Sequence, residues 1–512
     1  MIAIGSDKIM NEDGSFYKLQ RIDKSNFEKN NKKFLHGLSI LGFGVHTSRS
    51  LMSSSALSMI QGNLLGPLGF SIMYVINFIP ALLFIWLDTN YFSLNACIIF
   101  TIIGQICLSI AILSEILILA IIGEIIFGFA AFLVIIHQRT LISVYYSSPA
   151  FGLGLSVSIA SFVKLASKIG ISGIIFAGTT HNSSTRNSNH NEDDGNVSAF
   201  IISLSCMISC FIPLLFTITC EYNTSNSVGN NNDDKNINHN LHIEKASLLD
   251  SHELTTYNTI KQKSNSNHSE TDEYFNKFNL SLYSSTLLLP IILHGVNIFL
   301  YHPIDSFIPH ILLSKFEVTK FTMTSIKVVA PLVDMMFAPI VGCIEDHCNF
   351  ESMYLIVINL AVFSIAQIII ICIYNEMDNI NNNIHQGSVN FISFVIAYVT
   401  IALTRTFLTI SVMSLMVVSM TAPFDTSLKP IIDIESVIIH EQENVIQEKK
   451  KAYQKGFIGM EIVSNFVNIV AYLTFGALYS ESNGYTRSLL VLFTVSIITT
   501  VALVLKLWRQ ST

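Results

Sequence analysis

Residues 92–137 read FSLNACIIFTIIGQICLSIAILSEILILAIIGEIIFGFAAFLVIIH, and this stretch decides the fold class. It holds two apolar runs, 92–113 and 116–137, that are almost bare of charge. An α-helix rises about 1.5 Å per residue, so about 20 such residues cross a ~30 Å hydrocarbon core. Helices of a water-soluble core are shorter and carry a polar stripe. Working outward, runs of the same kind recur at 36–59, 66–87, 150–178 and 199–219, and again at 283–310, 321–344, 352–374, 389–418, 454–478 and 487–508.

The composition agrees. Of 512 residues 51% are hydrophobic and 13% charged, with a mean hydropathy of +0.52. A soluble chain carries roughly 25% charged residues and cannot leave so much apolar surface in water. The charges crowd into the first 35 residues, 220–282 and 421–455. The expected architecture is therefore an all-α membrane protein. It has a cytosolic tail (1–35), six helices (36–219), a disordered loop (220–282) rich in Asn, Ser, His and Asp, six more helices (283–508) and a short cytosolic end (509–512). Segment 421–453 reads as a cytosolic loop insertion. Within it, Ile431 to Lys451 forms either an amphipathic helix on the membrane face or a solvated linker. The polar opening residues read as a tail rather than a secretory signal.

Basic residues set the orientation. Lys18, Arg21, Lys24, Lys29, Lys32 and Lys33, the central-loop lysines (Lys235, Lys245, Lys261, Lys263, Lys277), Lys449, Lys450, Lys451 and Lys455, and finally Lys506 and Arg509, fall on one side. Arg186, Lys315, Lys320 and Arg487 fall on the other. Both termini are expected in the cytosol. The opposite loop, 179–198, then carries two glycosylation sequons, at Asn182 and Asn196. The cysteines lie mostly inside the predicted spans without framework or metal-ligand spacing and read as small packing residues. Nothing calls for a metal, a cofactor or nucleic acid. Neither G-x-S-x-G nor H-E-x-x-H occurs, so enzymatic chemistry is not expected.

Ionisable groups at membrane depth cost several kcal/mol unless they face a partner or a cavity, so their positions are the best internal guide to a pathway. His46 and Arg49 lie three apart on one face of the first span. Glu124 in the fourth span and Lys164 in the fifth come out nearly level, either as an interhelical ion pair or as a substrate or proton contact; Lys168 shares the face of Lys164. In the seventh span His294, Asn297, Tyr301 and Asp305 form a polar stripe broken by Pro303. The stripe favours an aqueous cavity, with a hydrogen-bonded seam to a neighbouring helix as the alternative. Lys327 and Asp334 share a face of the eighth span, while Arg405 and Glu461 reach similar depth and read as a gate or a structural bridge.

Two groups of six spans about a central loop is the layout of major facilitator transporters, whose halves are related by an axis along the membrane normal. Several segments resemble one branch of that superfamily, the lysosomal dipeptide uniporters. FLHGLSILGFG (34–44) looks like the branch's opening span, and Asp88 stands at its loop 2–3 motif. GEIIFGFAAFLVIIHQ (123–138) keeps Gly123, Phe127, Gly128 and Gln138; AFGLGLSVS (150–158) is similar to the start of its fifth span. APIVGCIED (338–346) keeps Pro339, Gly342 and Asp346, and AYQKGFIGMEIVSNF (452–466) resembles the opening of the eleventh. The resemblance implies a carrier of dipeptides or amino acids in a lysosomal-type membrane (the plasma membrane being the alternative), working by uniport or proton coupling beside an accessory glycoprotein.

It also locates a departure. The family's acidic clamp for a peptide amino group falls on Phe132 and its arginine clamp for the carboxylate falls on Ile159, neither of which can supply charge-assisted hydrogen bonds. The expected solute contacts are accordingly His46, Arg49, Glu124, Lys164, His294, Asn297 and Tyr301, with Lys327, Asp334, Arg405, Glu461, Asp88 and Asp346 in gating or ion pairs. Two other readings stay open: a carrier for a non-peptide solute, and a degenerate carrier acting as a scaffold or receptor through its central loop. Glu244, Leu248 and Leu249 in that loop fit an acidic dileucine sorting signal.

Overall fold

The computed structural model describes residues 8–10, 16–18, 32–50, 93–114, 116–181, 201–219, 285–316, 318–347, 352–377, 384–427, 435–479 and 484–511. These form a short antiparallel ribbon, β1 (Lys8–Met10) with β2 (Phe16–Lys18), followed by helices. In chain order they are α1 (Lys32–Ile40, resuming over 43–50 after a turn), α2 (Leu94–Ser114), α3 (Leu117–Tyr145), α4 (Pro149–His181) and α5 (Ile201–Thr219). Then come α6 (Ser285–Lys315), α7 (Lys320–His347), α8 (Ser352–Met377), α9 (Ile384–Ser427), α10 (Glu435–Tyr479) and α11 (Gly484–Ser511). Ten of these helices are long and apolar enough to cross a membrane, and the protein is a multi-pass integral membrane protein. Span 66–87, the end of 36–59, and Asp88, Asn182, Asn196, Glu244, Leu248 and Leu249 lie outside the described residues, as does the loop read as disordered.

Apolarity puts these helices in the bilayer, but small and polar residues decide which face turns inward. On α2, Ile99, Phe100, Ile103 and Ile110 are exposed, a face that only lipid can solvate. The opposite face buries Cys97, Thr101, Gln105 and Ser109, and Gln105 donates to Ser109 at 3.3 Å. Gly104 on this face meets the backbone of Phe127, so α2 and α3 approach as only small residues allow. The turn at 41–42 interrupts the helical bonding at the end of α1, and the Gln138 amide of α3 donates to two carbonyls there, Leu38 (3.1 Å), which also accepts from the Leu41 N–H (3.3 Å), and Ser39 (2.8 Å).

Of the two readings of Ile431 to Lys451 the structure has the helical one: α9 continues to Ser427 and α10 starts at Glu435, running unbroken into the eleventh predicted span. Hydropathy registers only the lipid-bathed part of a helix. The segment Glu435–Lys451 is rich in Glu, Gln and Lys, which are good helix formers in water, and the Glu448–Lys451 pair at 3.0 Å adds to it.

Candidate functional site

Helices from the two halves of the chain meet along α4 with α7 and along α3 with α10. The first contact is an antiparallel seam. Its opening is set by sequence: α4 starts at Pro149, which has no N–H to satisfy, and the following N–H groups of Ala150 and Phe151 are taken by the Asp346 carboxylate of α7 at 3.2 and 2.7 Å. One turn on, Gly154 lies on the Ala338 carbonyl and Gly342 on that of Ala150, so close that a Cβ at either would overlap it. Further along, Ser158 donates to the Met335 carbonyl (2.6 Å), Ser161 to Asp334 (3.4 Å) and Lys168 to the Lys327 carbonyl (3.2 Å).

Asp334 is the hub of the deeper part. Its carboxylate pairs with Arg405 of α9 at 3.7 Å and accepts from Thr406 at 2.6 Å. Lys164 lies within electrostatic reach of it and of Arg405, Lys168 and Asp305. Asp305 accepts from Tyr398 (3.1 Å) and feels Lys168, Arg405 and His302. On the other contact, Arg139 of α3 donates to Glu461 of α10 at 2.5 Å, with the two side chains 16% and 14% exposed. His294 and Arg49 lie within reach of the same carboxylate. His46 joins the two clusters, facing Lys164, Arg49 and Arg139.

The expected residues are thus distributed differently from the sequence reading. Arg405 and Glu461 are not a pair: Arg405 goes to Asp334 and Glu461 to Arg139. Lys327 and Asp334 share a helix but answer different partners, Lys327 through its carbonyl. Lys164 has Asp334 and Asp305 as its carboxylate neighbours, whereas Glu124 stands near the opening of α3, next to the Gly123 packed on Leu108. In the seventh-span stripe, Asn297 donates to Thr409 and Tyr301 to Thr404, each at 3.0 Å, so these two form a hydrogen-bonded seam with α9. Buried polar atoms remain without a hydrogen bond there, His294 Nδ1 and Asn297 Oδ1. Phe132 is 3% exposed and belongs to the apolar core; Ile159 is half-buried on α4 beside Ser158.

Arg139 and His302 escaped the sequence reading. The apolar run of the fourth span ends at 137, two residues short of Arg139, but α3 continues to Tyr145. A longer helix with its basic residue inside is invisible to a hydropathy window that stops at the first charge. His302 sits off the face shared by His294, Asn297, Tyr301 and Asp305. Among the described residues no group of three or more His, Cys, Asp or Glu is placed to hold a metal ion.

No protein-family model and no curated protein matches the sequence. Solved structures do match. A bacterial homologue of the iron transporter ferroportin in an outward-facing state aligns over 93% of this chain and 98% of its own, with a TM-score of 0.55 at 9% identity. The proton:xylose symporter XylE, bound to 6-bromo-6-deoxy-D-glucose, aligns over 93% and 95% with a TM-score of 0.56 at 12% identity. A D-xylose–proton symporter structure aligns over 93% and 97%, with 0.55 and 10%. At such identities the likeness concerns the fold, and the fold is that of the major facilitator superfamily.

Proposed function

We propose that this chain is a secondary carrier that moves small organic solutes by alternating access, its two halves rocking about a site between them. The observation that carries the reading is the set of ionisable side chains where the halves meet. Arg139 with Glu461 and Asp334 with Arg405 lie deep in membrane helices, and Arg139–Glu461 and Ser161–Asp334 join one half to the other. Groups of this kind are costly in a bilayer and persist where they serve a pathway or a conformational switch. Contacts between the halves must break and re-form in each cycle, and polar ones can exchange partners for water or solute.

The resemblance to the dipeptide uniporters supports amino acids or dipeptides as the solutes, a lysosomal-type membrane, cytosolic termini and an accessory glycoprotein. Asp346 at the opening of α4 would close the cytosolic end of the seam, with Lys327 at its other end. The test is uptake of labelled leucine, leucyl-alanine, succinate and glycerol 3-phosphate, at inside pH equal to or above outside pH, into liposomes holding the purified protein. Uptake of at least one of them above protein-free liposomes, lowered at least tenfold by Glu461→Gln, is the expected result. Equal uptake by wild type and empty liposomes for every solute tried would sink the carrier reading.

A further inference from the structure

The charge between the halves does not balance. Among the described residues, four cations, Lys164, Lys168, Lys327 and Arg405, lie within reach of two carboxylates, Asp305 and Asp334. The neighbouring cluster adds Arg49 and Arg139 against Glu461. Both groups are net positive, and the histidines His46, His294 and His302 supply no negative charge.

The hydrogen bonds show where that excess resides. Asp334 is committed to Arg405, Thr406 and Ser161, and Asp305 accepts from Tyr398. Lys168 donates to the Lys327 carbonyl. The Lys164 ammonium, by contrast, has neither a hydrogen bond nor an ion pair within 4.0 Å among the described residues. It lies deep between α4, α7 and α9 yet keeps accessible surface, as does Arg405, which is 20% exposed. Part of each side chain is thus open to a small solute. An ammonium there, without an anionic partner of its own, attracts whatever acceptor enters.

We infer that the place where the halves meet beside Lys164 takes a small organic anion, a carboxylate- or phosphate-bearing solute of net negative charge, with its anionic group between Lys164 and Arg405. The inference rests on the carrier reading for its physiological sense but concerns binding alone. A zwitterion needs an acid for its ammonium, and the carboxylates beside Lys164 are already engaged, whereas an anion needs only the cations.

The test is thermal unfolding of the purified, detergent-solubilised full chain with succinate, glycerol 3-phosphate, leucyl-alanine or glucose, each at the same ionic strength made up with sodium chloride. Ligand that binds only the folded state raises its melting temperature. Succinate or glycerol 3-phosphate is expected to raise the melting temperature by several degrees, leucyl-alanine and glucose not. Lys164→Gln should abolish the shift and Lys164→Arg should keep at least half of it; folding of each variant is checked by gel filtration. A shift unchanged in Lys164→Gln overturns the inference, as does stabilisation by leucyl-alanine or glucose without either anion. No shift with either anion also overturns it. A shift of the same Lys164 dependence given by phosphatidylglycerol but by neither soluble anion assigns the cations to a lipid headgroup and overturns it too. If an anion binds through Lys164 but is not taken up by liposomes, the carrier reading fails and this inference stands.

Discussion

The α4–α7 seam and the α3–α10 contact both join the halves, and they are built on opposite principles. Along α4 and α7 the chain removes side chains: Gly154 and Gly342 let each helix rest on the other's carbonyls, and serine hydroxyls and the Asp346 carboxylate fill the remaining donors and acceptors. Between α3 and α10 the chain instead extends two long side chains toward each other, Arg139 and Glu461. Close packing of backbones tolerates almost no displacement, because dispersion is lost within a fraction of an ångström. A pair of long charged side chains follows a moving helix by rotating, or releases it. The comparison teaches that the first contact holds two helices at backbone distance, whereas the second joins two helices through the reach of their side chains.

Breaking the hub should do the most damage. Asp334→Ala leaves Arg405 without its counter-charge and frees Thr406, and is expected to cost about 3–5 kcal/mol of stability. Reversible unfolding in mixed micelles checks this, and adding Arg405→Met should recover part of the loss. Next comes the seam itself. Gly342→Leu forces a side chain against the Ala150 carbonyl and should cost about 1–3 kcal/mol, read in the same assay, since backbone cannot yield as a side-chain tip can. Glu461→Gln keeps the shape of the second contact but removes its charge. About 1.5–3 kcal/mol is expected, and a double-mutant cycle with Arg139→Gln should show coupling; additivity within error would refute the pair as a unit. Asp346→Ala removes the cap at the opening of α4 and should cost about 1 kcal/mol. If the seam sets the spacing, Gly342→Leu but not Asp346→Ala should alter the distance between spin labels on the two halves.

How much was legible varies along the chain. The spans at 92–113 and 116–137 were readable because hydrophobic length is a local property, and α2 and α3 occupy nearly those residues. The ends were not, since Arg139 and the Glu435–Lys451 extension are polar residues held in helices by neighbours or by water. The residues that carried the family resemblance tell the same story. Gly123, Gln138, Gly342 and Asp346 prove to be packing and capping residues, which is why they point to a fold without naming a solute. Of the site, sequence supplied nearly every ionisable member but paired Arg405 with the wrong acid.

The sequence by itself determined that the chain crosses a bilayer many times, because about 20 apolar residues have no other stable solvent, and which polar residues lie at depth. Only the tertiary structure decided who answers whom. Charge pairing depends on which helices of the other half arrive and at what rotation, and glycine contacts such as Gly154 on Ala338 fix both. A helix face can be read from its own residues, whereas its partner cannot.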